Sequence, residues 1–296
     1  MALFITGDTH GALCLDYGSP DGYLTRFNTA NFSDQKNLTK DDCVIICGDF
    51  GGIWDTNRRS IDESRAEKYD LDWLENKPFT TLFVPGNHEN YDRLCGIKDQ
   101  ELLNSWYYEN MPSETKQRFR QGYPRQKRYG GNVRMIRPSV CMLETGVFRL
   151  NGYTCFVYGG AESHDTEGGI LKLSDYPNKA QYKRAFEEKK RAGKSFRVKG
   201  LSWWEQEIPD SLTEQLAEKA LEECGWNVDF VFTHDCPSGL LEMIGADQRS
   251  SRVNEFLQTV QERLTFRQWF FGHYHKNMEF MDQRFHLLYD AIIRIE

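Results

Sequence analysis

Apolar residues along this chain come in short bursts rather than long stripes. "ALFIT" (2–6), "CVIIC" (43–47), "TTLFVP" (80–85), "TCFVYGG" (154–160), "VDFVFTH" (228–234) and "QWFFGH" (268–273) each run into a polar or glycine-rich turn. Runs this short, rich in Val, Ile and Phe, predict strands covered on both faces. Stretches with helical spacing lie between some of them. "SRAEKYDLDWLENK" (64–77) carries Tyr69, Leu71, Trp73 and Leu74 as its apolar members. "SLTEQLAEKALEECG" (211–225) opens with a capping box of Ser211 and Glu214 and stops at Gly225. "SSRVNEFLQTVQERL" (250–264) aligns Val253, Phe256, Leu257, Val260 and Leu264 on one stripe. Strands alternating with helices predict an α/β sheet protein. With no internal repeat and no clean linker, residues 1–296 are expected to form a single domain with insertions.

The polar residues that end these runs form a second pattern. The first run is followed by "GDTHG", with Asp8 and His10, the second by "GDFGG", with Asp49, and the third by "GNHE", with Asn87 and His88. The fifth ends in "THD", with His234, and the sixth in "GHYH", with His273 and His275. One Gly-Asp pair is ordinary turn chemistry. Five strand ends bearing Asp, Asn or His point to a shared site, because open α/β sheets bind ligands at the carboxyl ends of their strands. Imidazole and carboxylate together suit Zn, Mn or Fe. Two divalent ions bridged by one carboxylate polarise a phosphoryl group and turn water into hydroxide near neutral pH. The i, i+2 spacing of His273 and His275 fits such a centre, since alternate residues of an extended segment point the same way.

Taken in order from residue 7 to residue 275, the blocks GD-x-H, GD, GNH(E/D), a His-bearing strand end and GH-x-H make the chain resemble the calcineurin-like metallophosphoesterases. The resemblance implies a sandwich of two mixed β-sheets flanked by α-helices, and an enzyme that hydrolyses phosphate esters. It implies one ion held by Asp8, His10, Asp49 and His275, and a second held by Asp49, Asn87, His234 and His273, with Asp49 as the bridge. Manganese is the ion expected; iron, zinc, nickel and cobalt also suit these donors. His88 takes the place of the family's catalytic histidine, assisting the leaving oxygen, with Glu89 expected to help keep it charged. "FTHD" departs from many members by its Asp235, which either orients a ligand histidine or is a plain turn residue. "GDFGGIW" lacks the phosphate-clamping Arg of the protein serine/threonine phosphatases, although Arg58 and Arg59 follow shortly and Arg58 is a candidate substrate contact. "YGGAESHDTEGGI" (158–170) and "LSWWEQE" (201–207) resemble small bacterial and prophage members of the superfamily. His164 and Asp165 on the first of these are candidates for positioning substrate. Trp203 and Trp204 read as a hydrophobic anchor, and His286 as a half-buried strand histidine.

Charge adds a further element. The formal net charge of −7 argues against nucleic acid as an obligatory partner, yet the basic residues are clustered. Residues 105–137 carry eight Lys or Arg against Glu109 and Glu114, and residues 179–199 carry nine against Glu187 and Glu188. These mark a basic insertion and a basic helical segment, which are either solvated faces or a lip attracting a nucleotide or nucleic acid. Eight cysteines without a C-x-x-C pair predict buried free thiols in a reducing compartment. No 18-residue apolar stretch and no basic leader is present, so a cytoplasmic protein without membrane contact is expected. The combined expectation is a dinuclear-metal hydrolase with a slight preference for phosphodiester or nucleotide substrates. The alternatives are a phosphomonoesterase or protein phosphatase, and a non-catalytic metal-bearing scaffold for a protein partner. Oligomeric state is not written in the sequence.

Overall fold

All six apolar runs become strands in the computed structural model of the chain, which describes residues 2–12, 22–54, 63–98, 100–106, 109, 112–246, 249–282 and 284–295. They are β1 (Leu3–Thr6), β2 (Cys43–Cys47), β3 (Thr80–Val84), β8 (Tyr153–Tyr158), β11 (Phe230–Thr233) and β12 (Gln268–Phe271). The other strands among the described residues are β4 (Arg125–Arg128), β5 (Gly131–Arg137), β6 (Val140–Leu143), β7 (Gly146–Leu150), β9 (Ile170–Leu171), β10 (Arg197–Val198), β13 (Met278–Phe280), β14 (Phe285–Leu287) and β15 (Ile292–Ile295). Arg58, Arg59 and Cys14 lie outside the described residues.

Two large mixed sheets result. One has the order β15-β1-β2-β3-β6-β5-β4, the other β13-β14-β12-β11-β8-β7, and β9 pairs with β10 apart from both. Strands β1, β2, β3 and β6 run parallel, as do β8, β11, β12 and β14. The flanking strands pair antiparallel.

Alternation within each strand builds the layers. Leu3, Ile5, Ile45, Leu82 and Val84 of the first sheet share a core with Val157, Phe230, Phe232 and Phe270 of the second. The intervening Phe4, Val44, Ile46 and Phe83 join Leu71 and Leu74 of the helix Arg65–Glu75. On the far side, Phe156, Val231, Trp269 and Phe271 join Leu221 of the helix Ser211–Glu223 and Val253, Leu257 and Val260 of the helix Arg252–Arg263. Each such side chain contributes about 1.5–3 kcal/mol on full burial, so a strand with apolar residues on both faces is held between two layers. The sandwich of mixed sheets flanked by helices is therefore the fold, as the motif set implies.

Two local expectations need correction. Helix Ser211–Glu223 is capped by Asp210, whose carboxylate accepts from Thr213 N at 2.8 Å, so the cap falls one residue before the box expected between Ser211 and Glu214. The capping box falls instead on Ser251 and Asn254, ahead of helix Arg252–Arg263. His286 is buried rather than half-buried, stacked on Phe270 at 4.7 Å.

The two basic stretches meet. Phe119 and Leu173 share a small cluster with Ile97, Leu102 and Leu103, against which Trp106 and Tyr182 pack, and Trp106 Nε1 donates to Tyr176 O at 2.9 Å. Within residues 105–137 several charges are matched: Arg125 and Arg134 both pair with Glu144, and Arg137 with Glu63 and Asp72. Helix Lys179–Ala192 buries none of its residues fully. Trp204 is buried, edge-on to Trp54 at 5.6 Å, in keeping with an anchor.

Candidate metal centre

The loops leaving β1, β2, β3, β11 and β12 bring their polar side chains to one place. Asp8 and Asp49 are sealed there, 0% and 1% exposed. His275 Nε2 lies 3.3 Å from Asp8 Oδ2 and 2.9 Å from His10 Nε2. His10 in turn sits 3.8 Å from Asp8 Oδ2 by Nε2 and 3.8 Å from Asp49 Oδ2 by Nδ1. His234 Nε2 is 3.3 Å from Asp49 Oδ1 and 3.1 Å from Asn87 Oδ1, while its Nδ1 is 3.0 Å from Cys47 O. Giving the Nδ1 proton to that carbonyl orients the ring and leaves Nε2 as the nitrogen an ion could use. Among the described residues, two groups could hold an ion: Asp8, His10 and His275, and Asp8, Asp49 and His234.

His273 and His275 do not lie on an extended segment, contrary to what their spacing suggests. Strand β12 ends at Phe271, and both histidines have left-handed backbone, φ 72° and 50°. They therefore part company. His275 turns to Asp8 and His10, whereas His273 Nε2 lies 2.8 Å from His164 Nε2, and its ring packs 4.9 Å from that of His234. The His273 backbone N–H donates to both oxygens of Asp8. His10 (φ 47°) and Asp49 (φ 45°) are also left-handed. Each such non-glycine residue costs about 1–3 kcal/mol, a strain that concentrates at functional sites.

The glycines of the motifs have a spatial reason. A Cβ on Gly48 would come within 1.9 Å of His234 Nδ1, one on Gly86 within 2.1 Å of Asp49 Oδ1, and one on Gly272 within 2.0 Å of Asp8 Oδ1. Each glycine is the floor on which a candidate ligand side chain from a neighbouring loop lies.

Electrostatics favour a cation here. Burial alone would lower the pKa of His234, but Asp49 and Asp8, with the hydrogen bonds to Asp49 and Cys47 O, push it up to about 10. Burial would raise Asp49, yet His234, His88 and His10 hold its carboxyl well below the usual range. Burial takes His10 down to about 4 against the pull of Asp49 and Asp8. The sealed Asp8 and Asp49 with the imidazoles around them form a donor set of oxygen and nitrogen that fits a divalent ion.

His88 anchors its backbone N–H on Asp49 Oδ1 at 2.7 Å. Its ring stacks on Trp54 and meets His10 edge-on at 5.2 Å. Burial and the neighbouring Arg197 lower its pKa, with Asp49 opposing. Glu89 does a different job from the one expected of it: Oε1 accepts from Phe50 N at 2.7 Å and Oε2 from Gly51 N at 3.4 Å, so the carboxyl holds the "GDFGG" loop. Asp235 is tied to its surroundings through one oxygen. Its Oδ1 accepts from Tyr274 OH at 2.5 Å, Asn254 Nδ2 at 2.7 Å and Cys236 N at 2.8 Å.

Three residues at the site were not singled out in the sequence. Asn87 Nδ2 donates to Ser163 Oγ at 3.2 Å, and Ser163 donates from Oγ and N to Glu207, both at 3.0 Å. Arg197 donates from Nε to Asp165 Oδ1 at 2.6 Å and approaches His88 Nε2 with Nη2 at 3.4 Å. A glycine-flanked "SHD" drew attention to His164 and Asp165, but nothing marked Arg197 out from its basic neighbours.

The calcineurin-like phosphoesterase family matches residues 1–277, and the chain belongs to that family. It is accordingly a phosphoesterase, a hydrolase whose family acts on phosphate esters with divalent metal ions. No curated protein matches the chain. Among solved structures, the phosphopantetheinyl hydrolase (PptH) from Mycobacterium tuberculosis is similar at 13% identity, over 98% of this chain and 90% of that one, with a TM-score of 0.32. A likeness so slight carries no argument about substrate. Among the described residues no helix is long and apolar enough to cross a membrane.

Proposed function

We propose that the protein hydrolyses phosphate esters at a dinuclear centre, with one ion on Asp8, His10, Asp49 and His275 and the second on Asp49, Asn87, His234 and His273. The observation that carries this reading is the meeting of Asp8 and Asp49 with the Nε2 atoms of His10, His234 and His275 at 3.3–3.8 Å. Bound ions, manganese foremost, would supply Lewis acidity and a water acidic enough to ionise near neutral pH. The protein's own groups do the rest. Asn87 is held by its amide nitrogen: Nδ2 donates to Ser163, which donates to Glu207, so the carbonyl oxygen is the atom turned to His234. His88, on a backbone tied to Asp49, stands ready to assist the departing oxygen.

A diester or nucleotide is the preferred substrate in this reading. The exposed helix Lys179–Ala192, with Lys189, Lys190 and Arg191 in its last turn, leads by chain to Arg197 beside His88. The free cysteines among the described residues suit a reducing, cytoplasmic setting.

The test is hydrolysis of bis-p-nitrophenyl phosphate beside p-nitrophenyl phosphate on apoprotein reloaded with Mn. Asp49→Ala should lose turnover and the capacity for two ions. His88→Asn should keep both ions and lose roughly 10²–10⁴-fold in kcat. Preference for the monoester would overturn the substrate reading, and full activity in His88→Asn would overturn the role of that histidine.

A further inference from the structure

We propose that Arg197 is a fixed cationic clamp for the substrate's phosphoryl oxygens, built from a segment that the family motifs do not include. The inference rests on the dinuclear reading above for where the phosphoryl group lies. Arg197 begins β10, which pairs with β9 in a small sheet inserted between β8 and β11. From there its side chain, 13% exposed, reaches the candidate metal centre beside His88.

The guanidinium is gripped on two sides. Nε donates to Asp165 Oδ1 at 2.6 Å, and Nη1 donates to Ser202 O at 3.2 Å. Nη2 is the remaining edge, 3.4 Å from His88 Nε2. A planar fork held by two acceptors cannot turn about its own axis, so that last edge has a defined aim. Its aim is the ring nitrogen that would face a leaving oxygen, so an oxygen of the same phosphoryl group would fall within reach of both.

Asp165 is suited to holding the arginine without quenching it. Its side chain is 49% exposed, so water screens much of its charge, and it engages the Nε side rather than Nη2. The loop "GDFGGIW" has no arginine immediately after its Asp, and Glu89 fills that region by binding the Phe50 and Gly51 amides. A phosphoryl group bound to two ions still presents oxygen on the side away from them. Charge-assisted hydrogen bonds from a planar fork are well matched to such oxygens. Arg197 thereby gives His164 and Asp165 different roles: Asp165 positions the clamp, and His164 borders His273.

Inorganic phosphate is the direct probe. Titrated calorimetrically into the Mn-loaded protein, it should bind about 10–100-fold more weakly to Arg197→Ala than to the unaltered chain, with Arg197→Lys between them because it keeps the charge but not the fork. Asp165→Asn, which leaves the arginine on Ser202 O but removes its ion pair, should lose roughly 3–10-fold. In turnover the loss should appear chiefly in KM, and guanidinium added to Arg197→Ala should restore part of it, which a merely structural role would not allow. Phosphate affinity within twofold across all four proteins would overturn the clamp, as would an unaltered chain that binds no phosphate. Failure of the dinuclear reading shows separately, as fewer than two ions per chain in the unaltered protein.

Discussion

A hydrogen atom on one α-carbon decides whether His234 can stand where it does. At Gly48 the backbone has φ +92°, and an added methyl group would overlap the imidazole at 1.9 Å. Backbone strain and overpacking act together, so Gly48→Ala should destabilise the fold by about 2–4 kcal/mol and lower metal affinity as His234 is displaced. Denaturant midpoints and metal content measured on the same samples would show it; unchanged values for both would refute the close contact. At this scale the sequence is legible in type but not in reason. "GD", "GN" and "GH" are visible as strings, but Gly48 serves His234, 186 positions onward, and Gly272 serves Asp8, 264 positions back. No local pattern links them. Arg197, Ser163 and Glu207 were hidden for the same cause: their partners His88 and Asn87 lie far away in sequence.

Tyr274 joins three elements through one hydroxyl. It sits between His273 and His275 and donates to Asp235, the residue after His234, whose same oxygen accepts from Asn254 at the start of helix Arg252–Arg263. Tyr274→Phe removes one of three donors from a buried carboxylate and should cost about 1–3 kcal/mol. Because both histidine loops then lose their tie, metal affinity should fall as well, which calorimetric titration of Mn would detect; loss of stability with unaltered affinity would confine Tyr274 to the fold. Legibility at the level of elements follows burial. Strands covered on both faces, such as β2 and β3, show as unbroken apolar runs. Strands β4 and β5 do not, since β4 is exposed along three of its residues and β5 alternates Val and Ile with Asn and Arg inside a stretch that reads as basic.

Charge buried across the two sheets sets the behaviour of the whole molecule. Asp8 and Asp49 lie on loops of one sheet, His234 and His275 on loops of the other, so an ion held among them would tie the sandwich together. Chelation should lower the thermal midpoint by about 4–8 °C, the shift expected for ligand at about 100 times its Kd. An identical midpoint with and without chelator would count against the centre. Acidity tests a different buried group. Burial lifts the Glu207 carboxyl to about 8 from an ordinary 4.5, with the Ser163 donors and Arg197 opposing. Below pH 4.5 both folded and unfolded chains carry the proton; between there and about 8 only the folded chain does. Its contribution to stability is thus complete below pH 4.5 and lost as pH rises through 8. Glu207→Gln should flatten the decline in denaturation midpoint across that window, and an equal slope in both proteins would exclude Glu207 as its source. The division of the centre between sheets also bears on synthesis. A nascent chain that has emerged as far as β8 displays Asp8, His10, Asp49 and Asn87, but β11 and β12 are still to come. An ion that draws ligands from both sheets would therefore be taken up only after β12 has been made.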